Sequence, residues 1–347
     1  MSRGSSALYI ALAAASACLL AGCSGASNEG PRIADSDFDC ANPSAQAKTT
    51  SVAIQALPLV SNGAIHVAKE QGFFDDYGLD VDIQPAGGLD KALAAVQGGA
   101  AEFAFSTTTS VVQAVEKSVP ISIVAPLGGL APGEYEELMA DPEATGITAL
   151  VASEGIADLA GLDGKTVALA DVRGQSELTT RWVLKEAGVD AEDVEFTVMA
   201  LPDGLNAFKA GKVDAIYTAE PFLGQALAAG GHVISWPSEE TFQHGVASVV
   251  VASNSYVSEN TDTVLRMNCA LRRAAEYSNS NPDEVRAATA KAVGVPVASL
   301  ATAVPPYFAQ AAERADIERT VDIMVDLGFI QKKVDVEKFA IPQIFED

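Results

Sequence analysis

Seven loops gather residue types suited to holding a small molecule: Pro58 to Asn62, Ala86-Gly87-Gly88, Ser106 to Ser110, Pro126 to Gly129, Asp171 to Ser176, Leu201 to Gly204, and Ala219 to Phe222. Hydroxyls and amides supply uncharged donors and acceptors, and glycine lets backbone N–H groups approach a bound group closely. Among their charged residues, Arg173 and Glu220 each follow a β-like run directly: Arg173 would pair with an anionic group, whereas Glu220 would instead accept from amino or imino hydrogens. Both pictures stay open at the level of sequence.

Catalytic patterns stop short. Gly174-Gln175-Ser176-Glu177-Leu178 starts as a nucleophile elbow does but lacks the second glycine, so Ser176 reads as a helix-capping or ligand-contacting hydroxyl. Gly161-Leu162-Asp163-Gly164-Lys165-Thr166 ends in the manner of a phosphate loop, yet its glycines are too closely spaced and it precedes a strand. The three histidines, His66, His232 and His244, have no partner four residues away and no neighbouring cysteine, the spacing that zinc or a Cys/His dyad requires. No catalytic residue, metal or cofactor is expected.

The chain has 347 residues, 48% hydrophobic and 20% charged, enough for about two domains that bury their own cores. Its formal net charge of −24 repels polyanions, which argues against nucleic acid as a partner. At the N-terminus Arg3 precedes an apolar stretch, 7–20, too short to span a bilayer as a mature helix, and the pattern is that of an export signal over residues 1–22. Its end, Leu20-Ala21-Gly22-Cys23, resembles the bacterial lipobox, in which the cysteine thiol receives a diacylglycerol with palmitate-type chains and becomes the first mature residue. Residues 23–49, rich in Gly, Ser, Ala and Asn, read as a flexible stalk holding a body off a membrane. Export and lipidation leave Cys40 and Cys269 in a compartment where disulfides persist, and a Cys40–Cys269 bond would staple the stalk to the body; two free thiols are the alternative. Cys269 falls opposite the apolar stripe Val264, Met267, Leu271, Ala274 and Ala275 of a helical segment and is expected to be reachable from the surface.

Stepping along the chain, β-like runs at 51–56, 79–85, 103–106, 121–125, 148–153, 166–170, 195–198, 215–218, 232–235 and 247–253 alternate with amphipathic stretches such as 63–71 and 89–98, the pattern of a parallel α/β protein. Lys69-Glu70-Gln71-Gly72 recurs as Lys185-Glu186-Ala187-Gly188, and Gly88-Leu89-Asp90 as Gly204-Leu205-Asn206, roughly 116 residues on, a period of domain size. Two similar lobes are expected: residues 50–150 as the first part of one, 151–234 as the second, and 235–347 returning to the first. Segments 148–153 and 233–251 are expected to form a two-stranded hinge. In such open sheets, ligands bind beyond the carboxyl ends of the strands, where the seven loops above lie.

From about Thr50 onward the sequence resembles the solute-binding proteins of ABC importers of the nitrate/sulfonate/taurine and thiamine-pyrimidine-precursor type. The resemblance is carried by Val67-Ala68-Lys69-Glu70-Gln71-Gly72-Phe73-Phe74, Tyr77-Gly78-Leu79-Asp80-Val81, residues 99–106, Leu162-Asp163-Gly164-Lys165-Thr166-Val167-Ala168, and Val213-Asp214-Ala215-Ile216 with Glu220-Pro221-Phe222. It implies a two-lobed periplasmic-binding-protein-like fold of type II, with two hinge crossings and a ligand cleft between the lobes. It further implies hinge closure around a small molecule and delivery to an ABC permease and its ATPase by a monomeric, lipid-anchored, extracytoplasmic receptor. By position, Ser61, Asn62, Gly87, Gly88, Ser106, Thr107, Thr108, Arg173, Gln175, Ser176, Glu220 and Phe222 match where relatives contact ligand. Residues 134–146 depart from the pattern as a short acidic insertion, and aromatic residues are sparse in the expected cleft. A thiamine-pyrimidine-synthase-like enzyme would need a cluster of cysteines that the mature chain lacks, and a sensor or scavenger lipoprotein is the remaining alternative.

Overall fold

Short apolar runs rich in Val, Ile and Ala pair into two sheets, and amphipathic helices cover their faces. The computed structural model describes Ile33, Cys40, Ala41 and residues 49–57, 59–141, 146–220, 222–301 and 303–345. The export signal, Cys23, most of the stalk and Pro221 lie outside the described residues. In chain order the strands are β1 (Thr50–Ala56), β2 (Leu79–Pro85), β3 (Phe103–Thr107), β4 (Ile121–Gly129), β5 (Thr148–Ala152), β6 (Thr166–Leu169), β7 (Glu195–Val198), β8 (Ala215–Ala219), β9 (His232–Ser235), β10 (Val246–Ser253) and β11 (Tyr307–Phe308). The first sheet runs β11-β4-β10-β3-β1-β2 and the second β7-β6-β8-β5-β9. The chain is thus a two-lobed α/β protein whose first sheet is completed only after the second has been made.

The internal repeat is visible in this topology. In the first sheet β1 pairs in parallel with β2 and β3, and antiparallel β10 follows β3; in the second β6 pairs in parallel with β7 and β8, and antiparallel β5 follows β8. Each lobe therefore receives one antiparallel strand next to its parallel core. The helices after β1 and β6, Gly63–Glu70 and Gln175–Glu186, are each followed by a glycine with positive φ, Gly72 at 73° and Gly188 at 75°. A left-handed residue turns the chain after a helix at little cost only when it has no Cβ. Phe73 and Phe74, directly after the first of these, are buried in the first-lobe core.

The hinge differs from the sequence expectation. Strand β5 and strand β9 do not bridge the lobes; they pair with each other at one edge of the second sheet, and β10 belongs wholly to the first. The chain crosses between sheets in the connection from β4 to β5 and again through 236–245, the latter inside the second expected segment, 233–251. The acidic segment supplies the helix Glu134–Ala140 of the first crossing, and the helix Pro237–Phe242 forms much of the second. Apolar alternation marks a strand but does not say which sheet it joins, and this is why 148–153, which lies beside the first crossing, reads as the crossing itself.

The long helix Thr261–Ser280 is buried along much of its length against the first sheet, and Cys269 is only 3% exposed. Cys269 is therefore not at an open surface. Cys40 bonds to it with a Cα–Cα separation of 5.4 Å, within the ordinary span of a disulfide, and packs against the core around it. Tyr77 Oη donates to the Cys40 carbonyl at 2.8 Å and fixes the same point. Among the described residues no helix is long and apolar enough to cross a membrane.

Candidate functional site

A cavity of about 250 Å³ lies where the two lobes and both crossings meet. The first lobe lines it with Leu57, Leu59 and Ser61 after β1, Leu89 after β2, Phe105 and Thr107 of β3, and Ser248 of β10. The second lobe contributes Ala170, Asp171, Gln175 and Ser176 after β6, Leu201 after β7, and Tyr217 and Ala219 of β8. Thr148 opens β5, and Ile147 and Ser238 enter from the two crossings. Most of these positions lie at or just beyond the carboxyl end of a parallel strand, where loop backbone and helix starts converge.

The loop after β6 is built around Asp171. Its carboxylate folds back over the start of the helix Gln175–Glu186, where Oδ1 accepts from Ser176 N at 3.1 Å, from Ser176 Oγ at 2.6 Å and from Glu177 N at 3.4 Å. Ser176 Oγ in turn accepts from Ala170 N and Asp171 N, each at 3.1 Å. One donated and two accepted bonds fill this hydroxyl, so Ser176 ties the loop together and is not an available nucleophile. Gly174 allows the fold-back, because a Cβ there would meet Asp171 Cγ at 2.4 Å.

A polar relay runs along the cavity wall. Gln175 Nε2 donates to Ser238 Oγ at 3.3 Å, Ser238 Oγ lies 3.1 Å from Tyr217 Oη, and Ser238 N donates to Thr148 Oγ1 at 3.2 Å. Burial pushes the Tyr217 phenol well above its ordinary range, so it stays a neutral hydroxyl. Thr148 Oγ1 donates at 3.0 Å to Glu239, a carboxyl only 1% exposed, which also accepts from the backbone of Ile147 and Thr148. Burial raises the Glu239 pKa to about 7 against the lowering effect of these bonds. Glu239 thereby joins the second crossing to the first.

Of the residues read from sequence, the structure brings Ser61, Thr107, Gln175 and Ser176 to the cavity. Asn62 sits in the interior with both side-chain amide atoms buried and unpartnered. Ser106 is buried in β3 with its Oγ donating to the Thr107 carbonyl at 3.5 Å, and Thr108 donates to the Val246 carbonyl. Gly87 and Gly88 lie behind Leu89, which is the residue that reaches the cavity from that helix start. Phe222 packs against the second-lobe core.

The two charged candidates are placed elsewhere. Arg173, in a left-handed conformation with φ 53°, donates from Nη2 to the carbonyls of Gly328 at 3.0 Å and Phe329 at 2.7 Å and lies over the Phe329 ring. Those carbonyls follow the helix Arg314–Asp326, whose C-terminal end attracts a cation. Glu220 faces a separate hollow with Leu59, Thr289 and Leu300, and its pKa is raised by burial. Loop chemistry in the sequence points to the segment holding Asp171 but not to Phe105, Tyr217 or Ser238. The signal for Phe105 and Tyr217 is positional, since alternate residues of β3 and β8 share a sheet face; Ser238, in the helix Pro237–Phe242, carries none.

Residues 61–285 match the family described as NMT1/THI5 like, and the chain belongs to that family. Among curated relatives, a putative binding protein of Brucella abortus is 24% identical over 239 residues, 68% of this chain and 69% of the relative. Among solved structures, the alkanesulfonate-binding protein SsuA from Xanthomonas axonopodis pv. citri, bound to MOPS, superposes with a TM-score of 0.67 at 16% identity, covering 85% of this chain and 99% of the other. The desulfurization enzyme DSZB superposes with a TM-score of 0.61 at 16% identity, covering 85% and 97%. At these identities the structures share the fold with this chain.

Proposed function

We propose that this protein is the solute-binding component of an ABC importer, exported, held to the membrane by a lipid on Cys23, and acting as a monomer that closes on a small molecule and presents it to a permease. The observation that carries the reading is the cavity itself, whose wall is divided between both lobes and both crossings, so that filling it draws the lobes together. Contacts between the lobes outside the cavity fit the same reading: Arg173 to Phe329, and an ion pair from Lys185 to Asp326. Binding without turnover suits a wall whose two hydroxyls bonded to carboxylates, Ser176 to Asp171 and Thr148 to Glu239, are both engaged in holding the protein's own segments together.

The test is a thermal-shift survey of the purified protein with sulfonates, nitrate, amino acids, purines, pyrimidines and simple amines, run beside Ala219→Trp, which fills the cavity. A ligand that binds the folded form adds about 2.7 kcal/mol of stability at a hundredfold excess over its Kd. Stabilisation of the wild type that is lost in Ala219→Trp supports the reading. Stabilisation that survives the substitution places the ligand elsewhere and refutes it.

A further inference from the structure

We propose that the cavity takes a small, compact molecule with an apolar body and an amino or ammonium group, and that it excludes sulfonates, nitrate and carboxylates; this rests on the reading of the cavity as the ligand site.

The first line of argument is the helix Gln175–Glu186. A helix start pointing into a cleft is an anion site, because its free N–H groups and positive dipole end favour negative charge. Here that place is taken by the chain itself, since the Asp171 carboxylate accepts from Ser176 N and Glu177 N. An incoming oxyanion would meet a carboxylate where it needs donors. The neighbouring start of the helix Thr108–Glu116 is also closed, by Thr107 Oγ1 accepting from Ser110 N at 3.2 Å.

Counter-charge is the second. No lysine, arginine or histidine lines the cavity among the described residues, and the guanidinium closest in sequence, Arg173, is committed to the Phe329 carbonyl. Burying a sulfonate without a cation, and beside Asp171, costs far more than the contacts could return.

The third is an acceptor without a donor. Gln175 Oε1 is buried and unpartnered, while Nε2 of the same amide is oriented by Ser238. An N–H of the ligand completes it, and the apolar walls from Leu57, Phe105 and Leu201 cover the remainder. At about 250 Å³ the space is below that of sites for drug-sized ligands, which sets the scale of the molecule.

The experiment is calorimetry and thermal shift on the purified mature protein with size-matched probes: benzylamine and cyclohexylamine against benzenesulfonate and benzoate. The amines are expected to bind and raise the Tm with concentration, and the anions to do neither. Gln175→Leu, which leaves the Asp171 cap intact, is expected to weaken the amines tenfold or more. Asp171→Ala empties the helix start and is expected to make the protein responsive to methanesulfonate, to which the wild type is silent. Binding of benzenesulfonate or benzoate by the wild type overturns the assigned class while leaving a receptor in place. Silence of the wild type toward all four probes overturns the assigned class, and silence of the wild type across the wider survey as well overturns both.

Discussion

The guanidinium of Arg173 in the second lobe donates to the backbone carbonyl of Phe329 in the first at 2.7 Å, so the one cation in the cleft loops with an oxyanion-pairing geometry holds the protein to itself. Gln113 of the first lobe completes the contact by donating to the Arg173 carbonyl. This is a latch between lobes and not a ligand contact. Arg173→Ala is therefore expected to weaken every ligand alike, by about fivefold, the worth of roughly 1 kcal/mol for an exposed charge-assisted hydrogen bond. Titration calorimetry with one amine and one neutral ligand checks it; a loss beyond a hundredfold for one of the two, with the other little changed, would return Arg173 to the ligand.

Glu239 gives the protein a pH dependence of known sign. Its carboxyl has a pKa of about 7 in the fold and an ordinary value of 4.5 when unfolded, so between these limits the folded state holds the extra proton. Stability from this group is fully present below the ordinary value and is lost as pH climbs through about 7, by roughly 3 kcal/mol at most. The Tm of wild type is expected to fall relative to Glu239→Gln between pH 5 and pH 8. Parallel curves for the two proteins would show that the carboxyl titrates normally.

Gly146 sits against the same carboxyl. A Cβ at this position would meet Glu239 Oε1 at 2.6 Å and Trp236 Cε3 at 2.8 Å, so Gly146→Ala must push the two crossings apart. A stability loss of about 1–3 kcal/mol is expected in urea unfolding, together with weaker ligand binding. An unchanged midpoint would mean that the crossings yield freely.

The Cys40–Cys269 bond closes a segment of 229 residues and pins the end of the stalk beside Tyr77. Intact mass is expected to rise by the two hydrogens of one disulfide on reduction, and Cys40→Ser to lower stability by about 2–4 kcal/mol. Two free thiols in freshly prepared protein would remove the staple.

Ten of the eleven strands are legible in the sequence, because each is a short apolar or alternating run bounded by glycine or a helix signal. The exception, β11, has two residues, Tyr307 and Phe308, and exists only because β4 offers them an edge. The duplicated lobes are legible for the same local reason, through Gly72 and Gly188. The site is only half legible. Ser61, Thr107, Gln175 and Ser176 reach the cavity as their loop positions imply, whereas Arg173 and Glu220 have the right position after a strand but point away. Direction depends on partners distant in sequence, the Phe329 carbonyl for Arg173 and a hollow beside Leu300 for Glu220, and no local pattern encodes those. Cys269 is buried for a like reason, since a helical face opposite an apolar stripe can be covered by another segment, here the one carrying Cys40.

The central claim, that a ligand in the cavity draws the two lobes together, is tested most directly by small-angle scattering of the wild type and of Ala219→Trp, each with and without the compound that gives the largest thermal shift. The account predicts a decrease in radius of gyration on saturation of the wild type and no change in Ala219→Trp. A wild type that binds the compound with unchanged dimensions, while starting from an open form, would contradict it.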